Sequence, residues 1–253
     1  MDFAHFSRPR WLFFDLDDTL WDFNKNSEES LRHVFSAFTE INTAFPSFEA
    51  FADAYHLHNA ALWQAFAEGS VSSARLKSER WRRTLFPGSD PAEPPEICMT
   101  IDTEYLRFLA EQPYLIKGAE GMLRRLSKSH MIAVLSNGFI DTQYRKLRFS
   151  GLWRFVTRTV VSDEACFQKP DPRLYDYAVK ATGATGTPIM IGDNPSTDIL
   201  GALRAGWNAI WYNPSRKPLP WTEEELREEG IDPSLFLGTV STMAEVERLV
   251  VIS

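Results

Sequence analysis

"WLFFDLDDTLW", residues 11–21, is the stretch that decides the fold. Four apolar residues run directly into three carboxylates, Asp15, Asp17 and Asp18, and Thr19 follows at once. Two like charges held about 4 Å apart repel by about 4 kcal/mol at an effective dielectric constant of about 20. A fold that gathers these acids beside a buried strand therefore needs a group that compensates their charge.

Short apolar runs like the first half of this stretch recur along the chain. Each is short enough for a β-strand and is apolar on both faces, which is typical of strands that helices cover on both sides of a sheet. The runs are RWLFFD (10–15), MIAVLSN (131–137), FVTRTVVSD (155–163), PIMIGD (188–193) and NAIWYN (208–213). Helical patterns separate the later runs, and this alternation predicts an α/β fold with a Rossmann-like parallel sheet.

Residues 22–114 break this alternation. Apolar side chains recur there at helical spacing, with no convincing strand between them. They are Leu31, Val34, Phe35, Phe38, Ile41, Phe48, Phe51, Tyr55, Leu62 and Phe66. We therefore predict an inserted α-helical domain over residues 22–114 and an α/β core formed by residues 1–21 and 115–253. Within the core, residues 213–220 are expected to form a closing flap and residues 222–229 a surface helix.

Composition narrows the class of protein. The formal net charge of −7 is spread along the 253 residues, which predicts neither a nucleic-acid partner nor a membrane partner. Cys98 and Cys166 lie far apart without CxxC spacing, which disfavours a disulfide framework or a structural zinc site. Residues 1–11 contain no continuous apolar stretch, and no later run approaches the roughly 20 residues of a membrane span. We therefore expect an unexported, cytoplasmic protein.

The acids of the opening stretch are candidates for a metal site. Alternate side chains of an extended segment share a face, so Asp15 and Asp17 are expected to point the same way and Asp18 elsewhere. A strand that ends at Asp15 would deliver the pair to the carboxyl edge of the sheet, where open α/β folds bind ligands. Two neighbouring carboxylates can share Mg²⁺, which removes their repulsion. A surface turn with helix-capping acids is the alternative.

The segment IGDNPSTD (191–198) places a second pair of acids after another apolar run. Asp193 ends the predicted strand, and Asp198 lies near the start of a helix. An ordinary helix cap made by Asp193, Asn194 or Ser196 is the alternative. Two strands that end in acids at the same sheet edge fit a divalent site better than two coincidental caps. Hard oxygen ligands without a local histidine or thiolate favour Mg²⁺ over zinc.

Two further segments carry groups suited to phosphate. AVLSNG (133–138) ends its strand in Ser136 and Asn137, whose hydroxyl and amide can donate to phosphate oxygens, with turn chemistry as the alternative. CFQKPDP (166–172) supplies Lys169, directly before a proline that is expected to open a helix. A single lysine is usually solvated, because lysine is rarely buried. Its significance depends on the residues around it.

Together these segments resemble the four motifs of the haloacid dehalogenase (HAD) superfamily. The ordered set is Asp15-x-Asp17-x-Thr19, a strand-terminal Ser136, Lys169-Pro170, and Gly192-Asp193 with Asp198. No single motif is specific, but four in this order, each at a predicted strand end or helix start, are hard to obtain by chance. The resemblance covers about residues 10–213. It implies the α/β core of that superfamily, with the insertion as a mobile helical cap.

The resemblance also implies an activity, that of a Mg²⁺-dependent phosphomonoester hydrolase. Asp15 would be the nucleophile that becomes an aspartyl-phosphate, and Asp17 would protonate the leaving alcohol and then take a proton from water. Mg²⁺ would be held by Asp15, the backbone carbonyl of Asp17, and Asp193. Asp198 and Asn194 would act on the metal through water, or by orienting neighbouring groups.

The transferred phosphoryl group would be gripped by a second set of residues. The resemblance implies Thr19, Ser136, Asn137 and Lys169 in this role, and Lys169 would also offset charge during the reaction. The insertion would supply specificity. In it, Phe23 or Trp63 could stack on a planar base, and Arg75 or Lys77 could meet the substrate. Burial in the helical core is the alternative for the aromatic residues, and a solvated face is the alternative for the basic ones. 

Asp17 distinguishes between the chemistries of this superfamily. Members that displace halide from carbon lack an acid two residues after the nucleophile, because halide needs no proton to leave. Asp17 therefore favours hydrolysis of a phosphate ester. Sugar-phosphate or phosphoglycolate phosphatases and phosphomutases of the same superfamily remain alternatives. A non-catalytic binding module with this fold is the alternative from a different class.

Two longer segments narrow the expected substrate. SNGFIDTQYRKLRFSGL (136–152) and DILGALRAGWNAIWYNP (198–214) are similar to a bacterial branch that dephosphorylates nucleoside 5′-monophosphates. The resemblance thus implies a 5′-nucleotidase whose partner is a small-molecule phosphate ester, a nucleotide in particular. Either a monomer or a homodimer is compatible with the sequence.

Overall fold

A computed structural model describes residues 10–252 of the chain. Contacts divide the chain into two compact units, Met1–Phe23 with Pro113–Ser253 and, separately, Asn24–Gln112. The predicted insertion, residues 22–114, differs from the second unit by two residues at each end. The expectation that residues 1–11 contain no apolar leader falls almost entirely on residues outside those described.

The first unit is built on a six-stranded sheet in which all the paired strands run parallel. The strands are β1 (Trp11–Phe14), β2 (Met131–Ser136), β3 (Arg158–Val161), β4 (Ile189–Gly192), β5 (Asn208–Tyr212) and β6 (Phe236–Val240). Their order across the sheet is β3-β2-β1-β4-β5-β6, so β1 lies between β2 and β4. This sheet confirms the predicted α/β fold.

Burial explains why the apolar run of the opening stretch forms the central strand. All four residues of β1 are buried, and burying a large apolar side chain contributes about 1.5–3 kcal/mol. Leu12 is in register with Ile132 on β2 and with Ile189 on β4. The backbone N–H of Asp15 continues this pairing, because it donates to the carbonyl of Ile191 over 2.9 Å. The strand thereby brings Asp15 to the carboxyl edge of the sheet.

The second unit is helical, as predicted. Its helices are α1 (Phe23–Ala37), α2 (Thr39–Ala44), α3 (Phe48–Ala67), α4 (Ser73–Leu85) and α5 (Ile97–Ala110). Helices α3 and α4 each follow a serine, Ser47 and Ser72, whose side chain accepts a backbone N–H of the first turn. Such a cap satisfies a donor that the helix itself leaves unpaired.

A buried ion pair lies inside the second unit. The guanidinium of Arg80 on α4 donates through Nε to Oδ1 of Asp102 on α5 over 2.7 Å, and the indole N–H of Trp81 donates to the same oxygen over 2.8 Å. The side chains of Arg80 and Asp102 are only 3% and 2% exposed. The pair therefore links α4 to α5 within the apolar interior of this unit.

The helices of the first unit lie between and after its strands. They are α6 (Ala119–Leu126), α7 (Ile140–Phe149), α8 (Ser162–Ala165), α9 (Pro172–Thr182), α10 (Gly201–Arg204), α11 (Glu223–Glu228) and α12 (Met243–Ile252). A π-helical turn, Pro195–Leu200, leads from β4 into α10. Helix α11 corresponds to the surface helix predicted over residues 222–229. In the core, the ring of Phe13 on β1 lies 4.6 Å from that of Trp207, measured between ring centroids.

The structure corrects one local expectation and adds one strand that was not expected. Pro170 does not open a helix: α9 begins at Pro172, and the carboxylate of Asp171 caps it by accepting the backbone N–H of Arg173. In addition, β6 was not predicted from the sequence. Its residues are mostly half-buried, and it contains Gly238 at a φ of +139°. It therefore lacks the continuous apolar run that marks the inner strands.

The two segments of the first unit that flank the insertion pair with each other. Trp21 and Leu115 form an antiparallel bridge. The backbone N–H of Asp22 donates to the carbonyl of Tyr114 over 3.1 Å. The chain thus leaves the first unit and rejoins it through two segments that lie side by side.

Both cysteines are free thiols, Cys98 buried and Cys166 exposed. Over residues 10–252, no helix combines the length and the apolar character needed to cross a membrane.

Candidate active site

Three carboxylates meet at the carboxyl edge of the sheet. Asp15 follows β1 and Asp193 follows β4, and these strands are neighbours, so their ends lie together. Asp198 joins them from the π-helical turn after β4. One carboxylate oxygen from each of the three lies within 4.8 Å of the others. The structure therefore brings together acids from both predicted clusters.

Lys169 is the cation among these acids. Its Nζ donates to Oδ1 of Asp15 over 2.5 Å, to Oδ1 of Asp198 over 2.7 Å, and to the carbonyl of Leu135 over 2.9 Å. The residue is 2% exposed. It is therefore buried in the acidic site, and the usual solvated position of a lysine does not apply.

Burial dominates the electrostatics of Asp15 and Asp193. It raises the pKa of Asp15 well above its usual value, against the attraction of Lys169 and with added repulsion from Asp198 and Asp193. It also raises the pKa of Asp193 to about 7, helped by the carboxylates of Asp198 and Asp18. For Lys169, burial alone would lower the pKa, but Asp15 and Asp198 raise it. One ammonium therefore does not offset the charge of three clustered carboxylates.

This donor set fits a hard divalent cation. Magnesium prefers oxygen ligands and is commonly held by one or two carboxylates together with water and phosphate oxygens. Burial is the main cause of the raised pKa values of Asp15 and Asp193, and a cation bound between these residues and Asp198 would relieve the repulsion that adds to it. Asp15 and Asp193 were predicted as ligands, and Asp198 as a residue that acts on the metal through water or by orienting Lys169. The structure places all three in one cluster that could hold a metal ion.

The side chain of Asp17 is held by helix α7. Lys146 Nζ donates to Oδ1 of Asp17 over 2.7 Å and to its Oδ2 over 3.0 Å. Gln143 Nε2 also donates to Oδ2, over 3.0 Å. The Asp17 side chain is 28% exposed, so part of it remains open to ligand or water. The predicted metal contact through its backbone carbonyl stays a prediction.

The predicted phosphate-binding residues surround the same edge. The Thr19 hydroxyl donates to Oδ1 of Asp193 over 3.2 Å and accepts the backbone N–H of Asp193 over 3.0 Å. Ser136, the last residue of β2, accepts a hydrogen bond from Nε2 of Gln143 over 2.6 Å. These contacts hold the Thr19 hydroxyl beside Asp193 at the end of β4 and the Ser136 hydroxyl at the end of β2. Their contact with phosphate stays a prediction.

Asn137 bonds the backbone of Lys169 with both ends of its amide. Its Nδ2 donates to the carbonyl of Lys169 over 2.9 Å, and its Oδ1 accepts the N–H of Lys169 over 2.8 Å. The amide therefore aligns the segment that carries the buried lysine. Its predicted role as a phosphate donor is not required to explain its position and remains a prediction.

Asn194 and Gly192 shape the site around Asp198. The Oδ1 of Asn194 accepts the backbone N–H groups of Ser196 and Thr197, so Asn194 caps the π-helical turn. Its own N–H donates to Oδ2 of Asp198 over 3.0 Å. The Asp198 side chain lies so close to Gly192 that a Cβ at position 192 would overlap it. Glycine before Asp193 is therefore required by the packing of Asp198.

Asp18 differs from the other two acids of the opening stretch. It has a left-handed backbone conformation, with φ of +57°, which is uncommon for a residue other than glycine. Its backbone N–H donates to the carbonyl of Trp21 over 2.8 Å. Asp18 therefore forms the turn that follows β1 and Asp17, and the expectation that its side chain points away from those of Asp15 and Asp17 stays a prediction.

The predicted cap residues fall in different places. Phe23 begins α1 at the end of the first unit's opening segment, and its ring centroid lies 5.5 Å from Lys146 Nζ. Trp63 on α3 and Lys77 on α4 are half-buried, whereas Arg75 on α4 is exposed. All three belong to the second unit. Their contact with substrate stays a prediction.

Sequence reasoning assigned no role to Gln143 and Lys146. Both are buried on α7, with exposures of 1% and 3%. Their spacing of three residues places them on one helix face, beside the buried Leu147. The buried residues of α7 are Thr142, Gln143, Lys146 and Leu147, so the sequence carries no apolar stripe that would have marked this face, and long polar side chains such as these are rarely buried without a partner.

The fold and this cluster of acids around a lysine are compatible with a hydrolase. The chain belongs to the haloacid dehalogenase-like hydrolase family, whose sequence profile matches residues 9–206. This finding confirms the resemblance drawn from the four motifs.

Individual relatives match most of the chain. It is 32% identical to the putative HAD-hydrolase YfnB of Bacillus subtilis, over 83% of this chain and 87% of that protein. It is 29% identical to the pyrimidine 5′-nucleotidase YjjG of Escherichia coli, over 94% of this chain and 96% of that protein. The crystal structure of YfnB bound to magnesium matches with a TM-score of 0.76 at 28% identity, covering 96% of this chain and 98% of that one.

Proposed function

We propose that the protein is a Mg²⁺-dependent phosphomonoester hydrolase that acts through an aspartyl-phosphate on Asp15 and prefers nucleoside 5′-monophosphates. One observation carries the proposal. The buried carboxylate of Asp15 contacts the buried ammonium of Lys169 at the carboxyl edge of a parallel sheet, with a second acid, Asp17, two residues on.

The first half of the reaction uses Asp15 and Asp17. A carboxylate oxygen of Asp15 attacks phosphorus, the bond from phosphorus to the ester oxygen breaks, and Asp17 gives its proton to the departing alkoxide. Lys169, whose Nζ already lies 2.5 Å from Asp15, would offset negative charge on the transferring phosphoryl group. The products of this half are the alcohol and the aspartyl-phosphate.

The second half returns both acids to their starting states. Asp17 takes a proton from a water molecule, whose oxygen attacks phosphorus. The bond between phosphorus and the Asp15 oxygen then breaks, which releases inorganic phosphate. Thr19, held beside Asp193, and Ser136, held at the end of β2, would orient the phosphoryl oxygens throughout. 

The acidic cluster supports the choice of metal. Asp15, Asp193 and Asp198 would hold Mg²⁺, either directly or through water. When bound, the ion supplies positive charge next to the phosphoryl oxygens and offsets the repulsion between the carboxylates. The structure of the relative YfnB is described as bound to magnesium, which supports the same choice here.

The preference for nucleotides rests on relatives. YjjG, which matches almost the full length of this chain, is named as a pyrimidine 5′-nucleotidase. Aromatic side chains such as Phe23 and Trp63 offer flat surfaces for a base. Asp17 supports ester hydrolysis in preference to halide displacement, because only the ester needs a proton donor for its leaving group.

A panel of phosphomonoesters with Mg²⁺ tests the substrate class. We expect dUMP, dTMP and UMP to be hydrolysed with higher kcat/KM than sugar phosphates or phosphoglycolate. The reverse order would remove the nucleotide preference but leave the phosphatase in place. If the folded protein hydrolyses no ester with Mg²⁺, the non-catalytic binding module would replace the proposal.

The variant Asp15→Asn tests the mechanism. It should abolish hydrolysis of p-nitrophenyl phosphate, because an amide cannot form the acyl-phosphate. Asp176→Asn is a suitable control, since Asp176 is exposed on α9 of the same unit. Full activity in the Asp15 variant would contradict the aspartyl-phosphate.

A further inference from the structure

We infer that Lys146 and Gln143 of helix α7 are positioning residues that hold the Asp17 carboxylate in the orientation it needs to protonate the leaving group. This inference rests on the proposed function and extends it. Neither residue belongs to the four motifs, and both side chains are buried.

Lys146 is built into a specific slot. Its Nζ donates to both carboxylate oxygens of Asp17, at 2.7 Å and 3.0 Å. The same ammonium lies 4.5 Å from the ring centroid of Trp21 and 5.5 Å from that of Phe23. Aromatic faces attract a cation at such distances, and a buried ammonium is costly unless it is paired. The slot therefore favours a lysine that points at Asp17.

Gln143 joins Asp17 to Ser136, a residue predicted to bind phosphate. Its Nε2 donates to Oδ2 of Asp17 over 3.0 Å and to the Ser136 hydroxyl over 2.6 Å. The two protons of one amide thus bridge the acid that follows β1 and the hydroxyl that ends β2. The distance between the two groups is thereby set by a single buried side chain.

The backbone of the neighbouring loop makes room for this amide. A Cβ built on Gly138 would lie 2.9 Å from both Cδ and Nε2 of Gln143, which is closer than a carbon can approach without a shift. The Gly138 N–H donates to the Ser162 hydroxyl over 3.2 Å, which fixes the loop. The glycine after Ser136 and Asn137 is therefore explained by the packing of Gln143.

Three hydrogen bonds to Asp17 leave room for the reaction. A carboxylate offers about four lone-pair positions, and Lys146 and Gln143 use three of them. The side chain is also partly exposed. A general acid must lie within hydrogen-bond reach of the atom it protonates. Because three of the lone-pair positions of Asp17 are occupied by Lys146 and Gln143, the remaining position points in one fixed direction.

The test separates positioning from a general structural role by varying the leaving group. We would measure kcat/KM of Lys146→Met, Gln143→Met and the wild type for 2,4-dinitrophenyl, p-nitrophenyl and phenyl phosphate and for dUMP. The dinitrophenolate leaves without a proton, whereas the nucleoside alkoxide requires one. Arg148→Met is the control, because Arg148 is exposed on the same helix. Thermal melts would confirm that each variant is folded.

We expect Lys146→Met to lower kcat/KM for dUMP by about 100-fold and for the dinitrophenyl ester by less than about threefold, since a positioned general acid contributes about 10²-fold or more. Gln143→Met should also lower the ratio of kcat/KM for dUMP to kcat/KM for the dinitrophenyl ester, and the control variant should leave this ratio unchanged. Equal losses on all esters would overturn the inference while leaving the proposed function intact. If Lys146→Met does not fold, an unchanged ratio in Gln143→Met would overturn it. A wild type inactive on every ester would remove both.

Discussion

Lys169 and Asp198, 29 positions apart in the chain, form a buried ion pair in which Lys169 Nζ lies 2.7 Å from Asp198 Oδ1. Their side chains are 3% and 1% exposed. The same ammonium contacts Asp15, so one lysine balances charge from two acids that follow different strands. The acidic cluster consequently depends on Lys169 for its stability as well as for its proposed chemistry.

Replacing Lys169 by methionine should destabilise the metal-free protein. Removing one partner of a buried ion pair costs about 3–5 kcal/mol, because the remaining charge is left uncompensated. Urea unfolding with a chelator measures this loss, and Mg²⁺ should recover part of it by supplying another cation. Lys180→Met, at an exposed position of α9, is the control. An unchanged free energy of unfolding in the Lys169 variant would contradict the buried pairing.

Replacing Gly192 by alanine should disturb Asp198. The added Cβ would overlap the Asp198 side chain, and overpacking of this kind costs about 1–3 kcal/mol. We expect a lower melting temperature and weaker Mg²⁺ binding, measured by calorimetry. Gly88→Ala is a matched control, since no atom lies within 4 Å of a Cβ built there. Equal behaviour of the two variants would show that Asp198 does not require this glycine.

Magnesium affinity should increase as pH rises through about 7. Carboxylate ligands bind a metal in their ionised form, and burial raises the pKa of Asp193 to about 7. Below a pH of about 7 the affinity for Mg²⁺ should fall by up to about tenfold per pH unit, as measured by titration calorimetry. An affinity that stays constant between pH about 5 and pH about 8 would contradict the raised pKa.

The same shift has a consequence for stability without metal. Because the folded state holds a proton on Asp193 more tightly than the unfolded chain does, its contribution to the free energy of unfolding is fully present below the unfolded pKa of about 4 and is lost as pH rises through about 7. Mg²⁺ should reduce this loss. Urea unfolding at several pH values, with and without Mg²⁺, measures both effects.

Replacing Asp102 by alanine should destabilise the second unit by about 3–5 kcal/mol, because it leaves the buried Arg80 guanidinium without its carboxylate. The double variant Arg80→Met, Asp102→Leu should be less destabilised, since both charges are removed together. Glu28→Ala breaks an exposed pair with Arg32 and should cost less than about 1 kcal/mol. Chemical denaturation of the three variants compares them. A double variant less stable than the single one would contradict this account.

The inner strands could be predicted because each of them is an uninterrupted apolar segment, which by itself indicates a buried strand. Residues such as Leu12, Phe13 and Phe14 are apolar without interruption and are covered on both faces. Strand β6 could not be predicted in this way, because an edge strand has one neighbour and tolerates Gly238 and half-exposed positions. The pattern of apolar residues in a segment indicates which of its side chains are buried, and only Val240 of β6 is buried.

The candidate site shows the same division. Asp15 and Asp193 each follow an apolar run directly, so strand ends in the sequence place them at one edge of the sheet. Lys146 and Gln143 reach the site from the middle of a helix. Their role depends on which strand α7 packs beside, and this information is not contained in the segment itself. Lys169 was predicted in part: its motif was recognised in the sequence, but the burial of its side chain was not expected.

The antiparallel bridge between Trp21 and Leu115 has a consequence for how such a protein can change over evolution. The two ends of the inserted unit are joined by hydrogen bonds within the sheet-bearing unit, so their separation does not depend on what lies between them. The entropic cost of closing a longer or shorter connection grows only slowly with its length. Residues 24–112 can therefore be lengthened, trimmed or exchanged for another module while Asp15, Asp193 and Asp198 keep their places at the edge of the sheet.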